Sequence, residues 1–263
     1  MSAKELLREG KLAEAIDAQV QAVKAAPGDT GARIFLFELL ASAGEWERAT
    51  KHLDVVTTQA PDMATGASSY LALLRAEQAR EALFATGQSA PERMTTEPLD
   101  PEPYLTALRQ LRGGDRAGAK RLLDEAEARR VSRGGTVDGT AFDDLRDADD
   151  VLAAHLEVIA NGIYGWIPFA QIAKLEFEEP RFVRDLLWRS VSITLVDGAS
   201  STMFVPVRYP GSPKATDDQL RLGRATDWRE DGEVVCGVGQ RAFLAGEDLA
   251  YLLDLHEVVF AGT

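Results

Sequence analysis

Five aspartates in the middle of the sequence are the densest set of side chains that could do chemistry. They are Asp143, Asp144, Asp147, Asp149 and Asp150. Clustered carboxylates are typical ligands of hard divalent cations, but this run lacks the central glycine and the closing glutamate of a calcium loop. A cation site and a solvated acidic face are both open interpretations, and we favour the solvated face.

The histidines and the single cysteine do not form a ligand set. His52, His155 and His256 lie far apart, and none has the spacing of a two-histidine zinc site. Cys236 sits in the apolar run Val234–Val238 without a neighbouring histidine, which is typical of a buried structural thiol. We therefore expect no metal and no cofactor.

The run Gly237-Val-Gly239-Gln240-Arg241 superficially matches the glycine-rich dinucleotide fingerprint. No strand–helix–strand unit surrounds it, so a bulge or turn is the better interpretation. The sequence also contains no nucleophile elbow or phosphate loop, and we predict no catalytic residue.

Three of the four tryptophans lie in the second half of the chain, where they are interleaved with arginines. Such residues either pack in a core through cation–π contacts or form a recognition surface, and both interpretations stay open. An enzyme site in this half is the alternative to a binding function. The residues are Trp166, Trp188, Trp228, Arg189, Arg208, Arg224, Arg229 and Arg241.

The elements that would carry these residues begin with a repeat. Gly10 and Gly44, Ala15 and Ala49, and Pro27 and Pro61 form three pairs of positions that are 34 residues apart. This is the period of the tetratricopeptide repeat, in which glycine permits the turn between two helices and alanine lets them approach closely. We predict helices over 2–9 and 12–26, then one after Asp29, one from about Glu45 and a long one ending near Ala85.

A third, degenerate repeat unit is predicted around Gly114, after a loop from Gly87 to Pro103. The fold class is therefore α+β with two domains. Residues 1–135 form a helical repeat domain, and 142–263 form a small mostly-β domain, either a barrel or an open sheet with short helices. Residues 136–140 are expected to be a linker.

Short β-rich runs define the second half. The runs are Leu156–Ile159, Tyr164–Phe169, Val191–Val196, Met203–Val207, Val234–Val238 and Val258–Phe260. Three dipeptides, Asn161-Gly162, Asp197-Gly198 and Asp231-Gly232, predict hairpin turns. Two short helices are predicted over Arg181–Trp188 and Glu247–Leu253.

Charge and hydropathy exclude several classes of partner. The net charge is −13, so we expect the protein to repel nucleic acid and anionic lipid. No apolar run reaches the roughly 18 residues of a membrane helix, and the amino terminus does not resemble a secretory signal. The single cysteine favours a reducing compartment, and we expect a cytoplasmic protein of undetermined oligomeric state.

Five motifs of the second half, in their order along the chain, resemble the ImpE/SciE family, also called TagJ. They are Gly162–Phe169, Arg184–Trp188, Phe204–Ser212, Leu222–Trp228 and Gly237–Arg241. Their most distinctive residues are Trp166, Pro168, Asp185, Trp188, Tyr209, Arg224, Trp228, Gln240 and Arg241.

The resemblance implies a non-enzymatic cytoplasmic adaptor of the bacterial type VI secretion system. Its implied partner is the N-terminal helix of the small contractile-sheath subunit (TssB-like), with an indirect link to the ATPase ClpV. A repeat groove is a natural receptor for an amphipathic helix. A structural oligomerisation module is a further alternative. From the repeat register we predict that the groove exposes Ile34, Glu38, Ser42, Ser68, Ala72 and Arg75.

Overall fold

The computed structural model describes residues 1–95 and 101–262, so part of the predicted loop from Gly87 to Pro103 lies outside the described residues. A helical region comes first and a strand-rich region follows. Among the described residues, no helix is long and apolar enough to cross a membrane. The eight helices of the described chain are α1 Ala3–Arg8, α2 Leu12–Ala25, α3 Thr30–Ser42, α4 Trp46–Gln59, α5 Ala64–Thr86, α6 Glu102–Gly113, α7 Arg116–Glu127 and α8 Asp218–Arg221.

The helical repeat is confirmed, including its degenerate third unit. Gly10, Gly44 and Gly114 each follow the first helix of a unit with positive φ angles of 79°, 74° and 86°. This left-handed backbone is the conformation that glycine adopts at low cost, and it lets the second helix begin two residues later. Ala15 and Ala49 are fully buried where the paired helices meet.

Fourteen strands are found in the described chain. They are β1 Glu92–Arg93, β2 Gly135–Val137, β3 Thr140–Phe142, β4 Leu145–Asp147, β5 His155–Ala160, β6 Ile163–Pro168, β7 Ile172–Phe177, β8 Trp188–Leu195, β9 Ser200–Pro206, β10 Thr226–Asp231, β11 Val234–Gly239, β12 Ala242–Ala245, β13 Asp248–Tyr251 and β14 Glu257–Phe260. All six predicted strand runs are confirmed as β5, β6, β8, β9, β11 and β14.

The main sheet has nine strands in the order β1-β6-β5-β9-β8-β7-β14-β2-β3. Its two edges, β1 and β3, do not meet, so the sheet is open and the barrel alternative is wrong. Two smaller sheets, β10-β11 and β13-β12-β4, complete this region. The pairing is antiparallel except between β1 and β6.

Three local predictions are wrong, two of them because pairing with a neighbouring strand decides the conformation of a short segment. The expected linker over 136–140 is part of the β2–β3 hairpin, which continues the main sheet beyond β14. The expected helix over Glu247–Leu253 is instead β13, which pairs with β12. The expected helix over Arg181–Trp188 is a short 3-10 turn, Val183–Leu186, and Trp188 already belongs to β8.

One hydrophobic core contains side chains from both regions. Leu40 and Leu74 of the repeats belong to the same cluster as Ile159, Trp188 and Val234 of the strand-rich region. A second cluster, with Val158, Ile167 and Val191 among its members, lies within the strand-rich region. The division into separately folding domains over 1–135 and 142–263 stays a prediction.

The Asn161-Gly162 turn connects β5 to β6 and touches the repeat helices directly. Gly162 has a φ of +77°, and a Cβ atom at this position would lie 2.6 Å from the Cβ of Ala72 in α5. Gly198, in the turn between β8 and β9, has a similar φ of +86° but nothing within 4 Å of its position for a Cβ. The two turns therefore differ mainly in their contact with α5.

We predict that Gly162→Ala destabilises the protein more than Gly198→Ala does. A positive φ costs alanine roughly 1–2 kcal/mol in both variants. Overpacking against Ala72 adds at least about 1 kcal/mol in the first variant alone. Urea unfolding of both variants measures the difference. Equal losses in the two variants would mean that α5 yields to the added methyl group.

Candidate functional site

The strand-rich region docks on the ends of the repeat helices through two arginines. The Arg208 guanidinium donates to the carbonyl oxygens of Ser42 (2.6 Å) and Ala41 (3.3 Å) at the carboxyl end of α3. Arg224 donates to the carbonyl oxygens of Leu7 (2.8 Å) and Arg8 at the end of α1. The last carbonyls of a helix lack intrahelical donors and carry partial negative charge, so a cation stabilises them.

A complementary contact stabilises the start of α2. The Asp218 carboxylate accepts a 2.9 Å hydrogen bond from the backbone N–H of Leu12, the first residue of that helix. A helix amino terminus favours a negative charge for the same electrostatic reason. The strand-rich region therefore supplies charges of the appropriate sign to three helix ends.

This docking covers part of the predicted groove. Glu38 is buried and pairs with Arg184 at 2.5 Å, and Ser42 is buried under Arg208. The prediction that these two side chains are exposed is wrong, because the chain's own strand-rich region packs on this face. Ala72 is half-buried beneath Gly162.

The other predicted groove residues remain accessible. Ser68 and Arg75 are exposed on α5, and Ile34 is half-buried on α3. Their role in partner binding stays a proposal.

A buried network of charges joins α5 to the sheet. Both side-chain oxygens of Glu157 accept from Arg80, with N–O distances of 2.7 and 2.8 Å. Glu157 also pairs with Arg241, which in turn pairs with Asp147. All four side chains are buried. Burial alone would raise the pKa of Glu157, but the charges of Arg80 and Arg241 outweigh it and hold this pKa at about 2.

Aromatic donors extend this network. The indole N–H of Trp188 donates to Glu77 at 2.9 Å, and Glu77 also pairs with Arg80 at 3.2 Å. The hydroxyl of Tyr164 donates to Glu157, and that of Tyr209 lies 3.0 Å from Asp147. The tryptophan and arginine side chains in this network are used in packing, which agrees with the core interpretation.

The remaining motif residues also have structural roles. The Trp166 indole donates to the Tyr164 hydroxyl at 2.5 Å, and Trp228 packs against Tyr209. The Asp185 carboxylate accepts from two backbone N–H groups, and the Gln240 side-chain oxygen accepts from the backbone of Leu253. Pro168 ends β6.

The aspartate cluster is only partly a surface feature. Asp147 and Asp149 are buried, so the solvated-face interpretation is wrong for them. Asp149 accepts from the backbone N–H groups of Val151 and Gly237, while Asp144 pairs with Arg130. Across residues 1–95 and 101–262, no group of three or more histidine, cysteine or acidic side chains is arranged to hold a metal ion.

Sequence reasoning missed the central role of Arg80, Glu77 and Glu157. Glu157 interrupts the apolar run of β5, where a charge is costly unless it is paired. Glu77 and Arg80 lie three residues apart on the apolar side of α5. Charged residues within the apolar patterns of β5 and α5 were therefore the sequence signal that could have revealed this network.

An open groove lies where α1 and α3 meet the segment 181–186, and it has a volume of about 1120 Å³. We call this the α1–α3 groove. Two large apolar side chains at its wall are conspicuously exposed, Phe182 by 55% and Met63 by 41%. Arg184 lies over the ring of Phe182, with 4.0 Å between the guanidinium carbon and the ring centroid. Its remaining apolar lining is Ala3, Leu7, Ala32, Ile34, Phe35, Val183 and Leu186.

His155 is a titratable group without partners in the core. It is 2% exposed, neither ring nitrogen has a hydrogen-bond partner among the described residues, and its ring packs between Tyr104 and Trp166. Burial lowers the pKa of His155 to about 4. Burial together with the nearby Asp147 charge raises the pKa of Asp149 to about 7, so both groups affect the pH dependence of stability between about pH 4 and pH 7.

We predict that His155 makes the protein less stable in mild acid. Between its unfolded pKa near 6.5 and its folded pKa, the unfolded state binds more protons, so stability falls by up to about 3 kcal/mol as pH is lowered from 7 to 4. Asp149 has the opposite slope, because its folded pKa is raised. Comparing wild type with His155→Phe at each pH cancels the Asp149 contribution. Parallel urea-unfolding profiles for the two proteins would contradict the prediction.

Comparisons with known proteins cover the whole chain. A family model described as ImpE protein matches residues 139–259, and a tetratricopeptide-repeat model matches residues 6–77. The chain is 35% identical over 263 residues to the type VI secretion system accessory component TagJ of Pseudomonas aeruginosa, covering 100% of this chain and 92% of that protein. An X-ray crystal structure of a Vibrio parahaemolyticus protein is similar with a TM-score of 0.91 and 29% identity, covering 99% of this chain and 98% of that one.

Proposed function

The chain belongs to the ImpE family of type VI secretion system accessory proteins, and from this premise we propose that it is a non-enzymatic adaptor that binds the N-terminal helix of the small sheath subunit. The docking site is the α1–α3 groove. The adaptor acts in the cytoplasm and assists sheath assembly or the ClpV-dependent disassembly of contracted sheaths.

The observation that carries this proposal is the exposure of two large apolar side chains, Phe182 and Met63, at the wall of the α1–α3 groove. Large apolar side chains are normally buried, and exposed ones that line a concavity are typical of protein-binding sites. An amphipathic helix presents an apolar stripe that fits such a groove. Aromatic side chains contribute disproportionately to the affinity of such contacts.

The proposed site differs from the one inferred from the repeat register. Ile34 belongs to both, since it lines the α1–α3 groove. Glu38 also lines it, but its carboxylate is engaged by Arg184. Ser68 and Arg75 are not among the residues that line this groove, so we place the principal contacts on Ile34, Phe35 and Phe182 instead.

A direct titration tests the proposal. A labelled peptide of the small sheath subunit's N-terminal helix is added to the full chain, with a scrambled peptide of the same composition as the control. We expect saturable binding with a Kd in the micromolar range or tighter, and none for the scrambled peptide. Equal binding of the two peptides, or no binding of either, would contradict the proposed function.

A further inference from the structure

The α1–α3 groove is basic in a protein that is strongly acidic. Its charged lining residues are five basic side chains and two acidic ones. The whole chain, in contrast, has 29 basic and 42 acidic side chains. The local charge of the groove therefore has the opposite sign to that of the protein. The basic residues are Lys4, Arg8, Arg181, Arg184 and Arg224, and the acidic ones are Asp29 and Glu38.

The two acidic side chains are already engaged within the protein. Glu38 pairs with Arg184. Asp29 accepts a 2.9 Å hydrogen bond from the backbone N–H of Ala32 and so stabilises the start of α3. The nearby Asp185 carboxylate is occupied by the backbone N–H groups of Arg181 and Phe182. None of them forms an ion pair with the other four cations.

Four exposed cations of the rim form no ion pair with a carboxylate among the described residues. In the part of the chain that the structure describes, no carboxylate lies within 4.0 Å of the charged nitrogens of Lys4, Arg8, Arg181 or Arg224. Arg224 forms no ion pair with a carboxylate, but it donates to the carbonyl oxygens of Leu7 and Arg8 at the end of α1. Lys4 lies over the ring of Phe35 at 5.9 Å, so at least one cation sits directly beside the apolar lining.

We infer that the α1–α3 groove recognises an amphipathic helix whose polar face is acidic. This inference rests on the proposed function and adds the chemistry of the partner. The apolar stripe of the helix packs against Phe35 and Phe182. Glutamate and aspartate side chains flanking that stripe meet the cations of the rim. Complementary charge increases the association rate and selects against helices with a basic polar face.

The overall charge of the protein makes this selection local. At physiological ionic strength, charges interact over about 8 Å. A docked helix is therefore attracted by the cations of the rim more strongly than it is repelled by the distant acidic surface. An extended polyanion interacts with the rim and with the acidic surface, and the net charge of −13 opposes its binding.

Three designed helical peptides test the inference on the full chain. They share one apolar stripe and differ in a polar face built from glutamate, glutamine or lysine, and circular dichroism checks that their helicity is equal. We expect the glutamate peptide to bind roughly tenfold more tightly than the glutamine peptide and the lysine peptide to bind most weakly. Raising the salt concentration should weaken binding of the glutamate peptide alone.

Charge-reversal variants locate the effect. The double variant Lys4→Glu, Arg181→Glu is expected to weaken binding of the glutamate peptide roughly tenfold or more, because two attractions become repulsions. The matched control is Lys51→Glu, Arg121→Glu, which reverses two exposed charges outside the groove. The control variant should bind the glutamate peptide with a Kd within about twofold of the wild-type value.

The possible outcomes separate the inference from the proposed function. Equal binding of all three peptides, each abolished by Phe182→Asp, would overturn the acidic preference and leave the groove as the docking site. If the Phe182→Asp variant binds the peptides as tightly as wild type, both the acidic preference and the groove as docking site would be wrong. A single-stranded dT oligonucleotide is added as a competitor at the same charge concentration as the glutamate peptide. If it displaces that peptide, the cations bind polyanions in general, and the inference that the groove recognises an acidic helix is wrong.

Discussion

Glu157→Gln is expected to lower the free energy of unfolding by about 3–5 kcal/mol, the largest effect of any single substitution considered for this protein. The Glu157 carboxylate is buried and accepts from Arg80, Arg241 and Tyr164. A neutral amide leaves the two guanidinium groups with too little negative charge around them, and its NH2 group faces donors instead of acceptors. Urea and thermal unfolding measure the loss.

Glu176→Gln is the matched control for this variant. Glu176 pairs with Lys174 at 2.9 Å on the surface of the same sheet, where its side chain is 52% exposed. Exposed ion pairs contribute at most about 1 kcal/mol, so this variant should unfold close to wild type. Similar losses in the two variants would mean that the buried network contributes no more than an ordinary surface pair.

Arg80 belongs to α5 and Glu157 to β5, so the loss of their ion pair should weaken the contact between the helical region and the strand-rich region. Hydrogen exchange of α5 and β5 amides is expected to increase together in Glu157→Gln. Faster exchange confined to β5 would indicate that other contacts, such as the hydrogen bond from Trp188 to Glu77, suffice to hold α5 in place.

Phe182→Asp is expected to weaken binding of the sheath-subunit helix by at least about 2 kcal/mol, or roughly 30-fold in Kd. Phe182 is 55% exposed at the wall of the α1–α3 groove, so more than half of its surface is free to contact a partner. An aspartate there removes the apolar contact and adds a charge that repels an acidic helix. Fluorescence titration of the labelled peptide measures the change.

The matched control is Val196→Asp, which introduces the same charge at another exposed apolar residue. Val196 is 50% exposed and lies next to the Asp197-Gly198 turn, and it is not part of the groove lining. We expect the Val196→Asp variant to bind the peptide with wild-type affinity. Both Val196→Asp and Phe182→Asp should have melting temperatures close to that of wild type. Unchanged affinity in Phe182→Asp would move the docking site away from this groove. Ile34→Asp is a less clean test, because Ile34 also packs against the core.

Features with a short-range physical cause were predictable from the sequence. The glycine at each helix turn, the buried alanine five residues later and the Asn161-Gly162 hairpin all depend on backbone conformation within a few residues. β7 was not predicted, although its residues Lys174–Phe177 alternate between polar and apolar as is typical of a half-buried strand.

Two short segments were predicted wrongly, although each contains a tight turn between paired strands. The segment around Asp248–Tyr251 becomes a strand because β12 offers a partner, and the segment 136–140 becomes part of a hairpin because β14 does. β13 pairs with β12, which directly precedes it in the chain. The β2–β3 hairpin pairs with the distant β14 but turns locally at Asp138 and Gly139, which have φ angles of +48° and +82°. The Asp138-Gly139 dipeptide was therefore a local hairpin signal that sequence reasoning missed.

By itself, the sequence determined the repeat period, the strand-rich second half and the family, because glycine, proline and apolar spacing act locally and the motifs are contiguous. Only the tertiary structure decided which charges are buried and which are free. Asp147, Glu157 and Arg241 come from separate strands or turns, yet they share one buried network. The same packing covers Glu38 and leaves Lys4 and Arg181 exposed. The energy of a charge depends on its distance to other charges and to water, and folding alone sets those distances.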